Sequence, residues 1–171
     1  MATHIELNPL SHLTIDTIGE PGNRTFYLQG SQAGELVTLV IEKQQAAALA
    51  ESFESLLEEL GKQDAEIRRV NESTVYADLT LRQPVEELFR VGSLSLGFSE
   101  EAKRIVIVAY ELVADDDEPN VVSFWAEPRQ VKALINQTTQ VVKSGRPICG
   151  NCGEPIDASG HWCAQRNGHK H

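Results

Sequence analysis

All three cysteines and three of the five histidines of this 171-residue chain stand in its closing stretch, RPICGNCGEPIDASGHWCAQRNGHKH. Cys149 and Cys152 form C-x-x-C-G, a spacing at which a tight turn aims two thiolates at one point while the glycine tolerates the conformation that follows. His161 and Cys163 form a second pair, H-x-C, and the eight residues between the pairs include Pro155, Asp157 and Gly160, which suit a chain reversal. Three thiolates and one imidazole make a closed tetrahedral set for one structural Zn2+, with Zn–S near ~2.3 Å and Zn–N near ~2.0 Å. A closed set leaves no position for water, which argues against a catalytic zinc. Residues 145–171 contain few large apolar side chains beyond Ile148, Ile156 and Trp162, so metal binding would supply their folding energy.

Other ligand sets are open at this stage. His169 or His171 could replace His161, and Asp157 offers an oxygen. A lone C-x-x-C can also be a redox pair, but such pairs usually open a helix in a βαβ setting, which this pattern lacks. Trp162, between two expected ligands, should face away from the metal, to pack on the rest of the chain or to meet a partner. An odd number of cysteines crowded at one end does not resemble a disulfide framework, and a reducing, cytoplasmic setting fits better. No apolar run approaches the ~18 residues of a membrane span, and MATHIELNPLSHLTID lacks the basic start and apolar stretch of a signal peptide.

The net charge of −10 is uneven: residues 1–144 carry 12 Lys/Arg against 23 Asp/Glu, and residues 145–171 carry three against two. An acidic body repels a phosphate backbone, so nucleic acid is a poor candidate partner, and Arg146, Arg166 and Lys170 are few for a binding tail. The nucleotide-binding glycine loops, the nucleophile elbow and the H-E-x-x-H motif do not occur. Outside the tail the histidines are His4 and His12, and the ordinary expectation for His12, in a strand-like run, is that it is packed or solvated.

The elements that must position this chemistry follow from periodicity. HLTIDTIG, RTFYLQG and ELVTLVIEK read as three strands separated by EPGN and SQAG. QQAAALAESFESLLEELG places Leu49, Phe53, Leu56, Leu57 and Leu60 at helical spacing before Gly61. KQDAEIRRVNEST reads as a polar connector, and the run from Val75 to Val113 as an isolated strand, an irregular stretch and a hairpin turning at SEEAK. VVSFWAEP is a further strand, with Trp125 expected in the core, and a second helix carries Val131, Leu134, Ile135, Thr138, Val141 and Val142 along one stripe.

At an offset of 85 residues VTLVIEKQQAAAL (37–49) lies over VSFWAEPRQVKAL (122–134), matching Val37 with Val122, Glu42 with Glu127, Gln45 with Gln130 and Leu49 with Leu134. The fold expected is α+β: duplicated β-β-β-α units, about 11–61 and 91–144, joined by a connector over 62–90. They would form a mostly antiparallel sheet core with two helices over residues 1–144, followed by a small zinc-knuckle-like tail, 145–171. A groove between the repeats is the place to seek a ligand. Glu42 and Glu127 could meet there as a carboxylate pair, though a role flanking their helices is the commoner outcome. Glu51, Glu54, Glu58 and Glu59 form an acidic helix face, ordinarily a solvated one and otherwise a dock for a basic partner.

Two segments, ADLTLRQPVEELFRVGSLSLGF and PICGNCGEPIDASGHWCAQRNG, resemble a bacterial family of uncharacterised proteins, the domain of unknown function 3090. The resemblance covers nearly the whole chain and implies that the family's Cys-x-x-Cys and His-x-Cys positions fall on Cys149, Cys152, His161 and Cys163. It also implies a pathway shared with neighbouring genes, one for a phosphomutase-like protein of the histidine phosphatase type and one for a phosphoinositide-kinase-like protein. It assigns no catalytic residue. The functional expectation is a protein-interaction or regulatory adaptor with a structural zinc, having a protein partner and no membrane. The alternative is an enzyme acting on a phosphorylated small molecule in the inter-repeat groove. Exposed strand edges leave a homo-oligomer open.

Overall fold

The structure, a computed structural model, describes residues 2–20 and 22–144. Alternating sequence in the first forty residues forms strands β1 (His4–Leu7), β2 (His12–Glu20), β3 (Asn23–Gln32) and β4 (Glu35–Ile41). Helices α1 (Lys43–Gly61) and α2 (Ala65–Glu72) follow, then strands β5 (Glu87–Ser99), β6 (Arg104–Glu111) and β7 (Val121–Ala126), and helix α3 (Pro128–Ser144). The chain is α+β, with one seven-stranded sheet in the order β1-β7-β6-β5-β4-β3-β2. Pairing is antiparallel except at β1·β7 and β4·β5. Three antiparallel strands followed by a helix therefore occur twice along the chain.

Tight local geometry sets the registers. Ala33 and Gly34 both take positive φ, 46° and 88°, in the two-residue turn that pairs Gln32 with Glu35, as the right-handed twist of a hairpin requires. The sheet also curls until its ends approach. Leu10 N–H donates to the Trp125 carbonyl at 3.2 Å, and Ser11 N–H donates to the Ser31 carbonyl at 2.9 Å. The start of β2 thereby meets β7, and Phe124 of β7 lies against Gly30 of β3.

All three helices share one core with the sheet's inner face, which presents Ile15, Leu28, Leu39, Ile105, Ile107 and Phe124. On α1 the buried stripe is Ala46, Leu49, Ala50, Phe53 and Leu57, which is the 3.6-residue period of the sequence. Phe53 is fully buried, worth roughly 3 kcal/mol of transfer free energy. On α3 Val131, Leu134, Thr138 and Val141 are buried, and α1 and α3 pack side by side.

Four expectations need correction. There are three helices rather than two. The polar connector contains α2, because Asp64 caps it by accepting from the backbone N–H of Glu66 and Ile67, and because Ile67 reaches the core. The isolated strand expected from Val75 makes no strand pairing; residues 74–86 cross the outside of the sheet, and β5 begins at Glu87. The N-terminal residues form β1, which pairs with β7. Trp125 is half-buried on the face opposite Phe124, since alternate strand residues point to opposite sides.

Gly30 tests the curl of the sheet. A Cβ there would stand 2.7 Å from Phe124 Cδ1 and 3.0 Å from Leu10 Cδ2, and Phe124 is fully buried with no free direction to move. Gly30→Ala is expected to lower the unfolding free energy by about 1–3 kcal/mol, read as a drop in the urea midpoint at unchanged slope.

Candidate functional site

Cys149, Cys152, His161 and Cys163, the expected zinc ligands, lie outside the described residues. Among the described residues no three or more His, Cys, Asp or Glu side chains converge as a metal site. None of their helices is long and apolar enough to cross a bilayer. Where the tail departs is defined: Arg24 Nη1 donates to Ser144 Oγ at 3.1 Å, so α3 ends beside the start of β3.

The two helix starts are built alike. Gln45 Oε1 accepts from Glu42 N–H at 2.8 Å, and Gln130 Oε1 accepts from Glu127 N–H at 2.8 Å. The other end of each amide reaches across to the opposite half of the chain. Gln45 Nε2 donates to the Val91 carbonyl at 3.3 Å, at the start of β5, and Gln130 Nε2 donates to the Leu10 carbonyl at 2.9 Å, just before β2. Each glutamine thus satisfies an orphan helix N–H and fixes where the next strand runs. Glu42 and Glu127 do flank their helices as the dipole argument expects, and each is engaged by its own arginine: Glu42 by Arg90, Glu127 by Arg104 at 3.8 Å.

Beyond these bonds the halves differ. Leu13 and Ile15, three and five residues past Leu10, are buried beneath α3, which packs directly on β2. Leu94 and Leu96, three and five past Val91, are only partly buried, and α1 has no comparable contact with β5. The result is an open groove of about 790 Å³, walled by Gln45, Ala48, Ser52 and Leu56 and floored by Leu94 and Leu96. Glu51 is the ionisable side chain on its rim. It lies between the helix of the first β-β-β-α run and the first strand of the second.

A second cluster escaped sequence reasoning. The outer face of β2, β3 and β4 carries His12, Thr14, Gln29, Ser31 and Thr38, all buried although polar. Residues 74–86 lie across them as a strap. Gln29 pins it twice, Nε2 donating to the Arg82 carbonyl at 3.0 Å and Oε1 accepting from Arg82 N–H at 2.8 Å, so one carboxamide does what a paired strand would do. Thr14 Oγ1 donates to the Leu79 carbonyl at 2.6 Å, and Arg82 Nη1 donates to Ser31 Oγ at 3.1 Å. Burial, and then the Arg82 guanidinium, hold the His12 imidazole below its ordinary pKa, opposed by Gln29 and by the Asp78 carboxylate. Its Nε2 has no partner among the described residues. Periodicity marked these strand positions only as polar; what covers them comes from 40 or more residues away, as separations of 53 and 65 show.

Two measurements follow. Gln29→Leu removes the pins and leaves Arg82 backbone groups unpaired, at a cost of about 1–3 kcal/mol, with faster proteolytic cleavage within 74–86. His12 sets a pH window. Above pH 6.5 both the folded and the unfolded imidazole are neutral; as pH falls through 6.5 the unfolded chain takes up its proton first, so stability is lost from there down to the lower folded pKa. His12→Gln should flatten that slope in denaturation curves between pH 7 and 5. Asp78, held below 3.8 chiefly by hydrogen bonds from Thr80, acts in a separate and more acidic window.

Comparison with known proteins gives one family and nothing closer. No curated protein and no solved structure matches the chain. The family described as "Protein of unknown function (DUF3090)" matches residues 5–163, a span that takes in all of the sheet but its first residue, all three helices and the Cys149 to Cys163 stretch. The chain belongs to this family.

Proposed function

We propose that the chain is a zinc-stabilised interaction protein of the cytoplasm. Residues 145–171 hold one structural Zn2+ through Cys149, Cys152, His161 and Cys163, and the duplicated body of residues 1–144 offers a docking surface to another protein. Support for the metal is chemical: C-x-x-C and H-x-C supply a complete tetrahedral set in a segment with little apolar material to fold on. Support for docking is the groove between α1 and β5, which is wide, open and apolar-floored. Its lining offers one carboxylate, Glu51, and no Lys or Arg to hold a phosphate. That composition suits a polypeptide surface better than a reaction centre.

The alternative, an enzyme for a phosphorylated small molecule, draws on a different hollow of about 300 Å³ bordered by Arg24, Lys43 and Arg90. Two of those cations are already engaged, Arg90 by Glu42 and Arg24 by Thr17 and Ser144. The adaptor reading therefore stands first.

Elemental mass spectrometry of the untagged chain, purified without chelator, tests the metal. About one zinc per chain is expected, with Cys149→Ser or Cys163→Ser losing most of it. Substoichiometric metal together with three freely titratable thiols would overturn the zinc assignment. For the docking half, a partner captured by the full chain should be lost when Leu94→Arg puts a charge on the groove floor.

A further inference from the structure

The groove beside β5 has a free strand edge along one side. β5 pairs with β4 only at Thr38↔Glu87 and Val40↔Arg90, and the two strands then part. From Ser93 to Ser99 its strand partner among the described residues is β6 alone. Alternate backbone N–H and C=O groups of residues 93–99 thus point away from β6 with no strand of the described residues beside them. Ser93, Ser95 and Gly97 are exposed, and a Cβ built at Gly97 meets nothing within 4 Å. At the matching place in the other half, α3 covers β2 and buries Leu13 and Ile15. The β5 side is the same architecture with one layer missing.

We infer that this edge accepts an extended basic segment of a partner protein by strand addition. A seven-residue strand laid against residues 93–99 would run for roughly 20 Å at about 3.3 Å per residue. Its backbone would pair with β5, and every second side chain would descend between α1 and the Leu94–Leu96 floor. Small apolar residues fit those alternate positions, because Ala48, Ser52 and Ser55 keep the wall low. Glu51 stands on the groove's rim, and Glu100 and Glu101 of the β5–β6 turn are exposed at the end of the edge; this acidic surround selects Lys or Arg at the intervening positions.

Two other occupants fit less well. The chain's own residues 145–171 carry Pro147, Pro155 and five glycines and are a poor strand sequence. A second copy would bring two acidic α1 rims together in a chain of net charge −10.

The inference rests on the adaptor reading and narrows it to one partner chemistry. Its test uses the full chain and a fluorescein-labelled octapeptide of alternating lysine and valine. Controls are the glutamate–valine counterpart and a lysine–valine peptide N-methylated at alternate residues. Saturable binding is expected for the lysine–valine peptide, weaker by about tenfold or more for either control. Binding should slow amide exchange at residues 93–99, and both Glu51→Lys and Ser52→Trp, exposed changes on α1, should weaken it. No saturable binding up to about 1 mM, or equal binding of the N-methylated peptide, overturns the inference. So does binding that leaves residues 93–99 and the Ser52→Trp variant unaffected; docking would then lie elsewhere and the adaptor reading would survive. A dimer in sedimentation that Ser52→Trp dissociates would assign the edge to a second copy and overturn the basic partner. Zinc content and capture of a partner by the full chain are read separately, so their failure is distinguishable from this one.

Discussion

A single curled sheet can bury its inner face only if something lies across the curl, and two helices do so here because two glutamines hold their starts in place. Gln45 and Gln130 each bind their own helix's first turn and a carbonyl of the opposite half. A carboxamide, offering both donor and acceptor, suits a half-buried position that must accept from an N–H and donate to a carbonyl at once. Once both starts are fixed, α1 and α3 lie alongside each other and Phe53, Leu57, Leu134 and Phe124 join in one core. The curl that brings Phe124 onto Gly30 belongs to the same arrangement.

That frame explains why the two halves, alike at their helix starts, diverge further on. α3 lies over β2, whereas α1 stands off from β5, whose pairing to β4 ends at Arg90. One site is closed by the protein itself and the other is open. The outer face divides in the same way: on β2, β3 and β4 the strap buries a polar layer, while Ser93, Ser95 and Gly97 of β5 remain in water. Over residues 12–15 β2 is covered on both faces, and from Ser93 onward β5 is open on both.

Much of this was legible from residue patterns. The periodicity of Leu49, Phe53 and Leu57 gave α1, that of Val131, Leu134 and Val141 gave α3, and the alignment of Gln45 with Gln130 fell on the pair that does the same work in both halves. Less was legible where long-range contact overrides local pattern. Ile67 alone turns an otherwise polar segment into a helix face, and Thr14 and Gln29 stand only as polar positions in strand-like runs, with His12 packed or solvated, until residues 74–86 are laid over them. Trp125 shows the same limit: an apolar strand alternates, and hydrophobicity alone does not say which side is inside.

The pairing of β1 with β7 carries a consequence for biosynthesis. His4 to Leu7 have their strand partners at Val121 to Phe124, so these residues leave the ribosome early and wait for almost the whole body to be made. Until then Leu7, fully buried in the finished protein, is an exposed apolar residue on an unpaired strand, the kind of segment that chaperones hold. β1 can therefore join the sheet only after β7 is made, and a bulky fusion placed ahead of it would act on that long-range pairing rather than on the local hairpins.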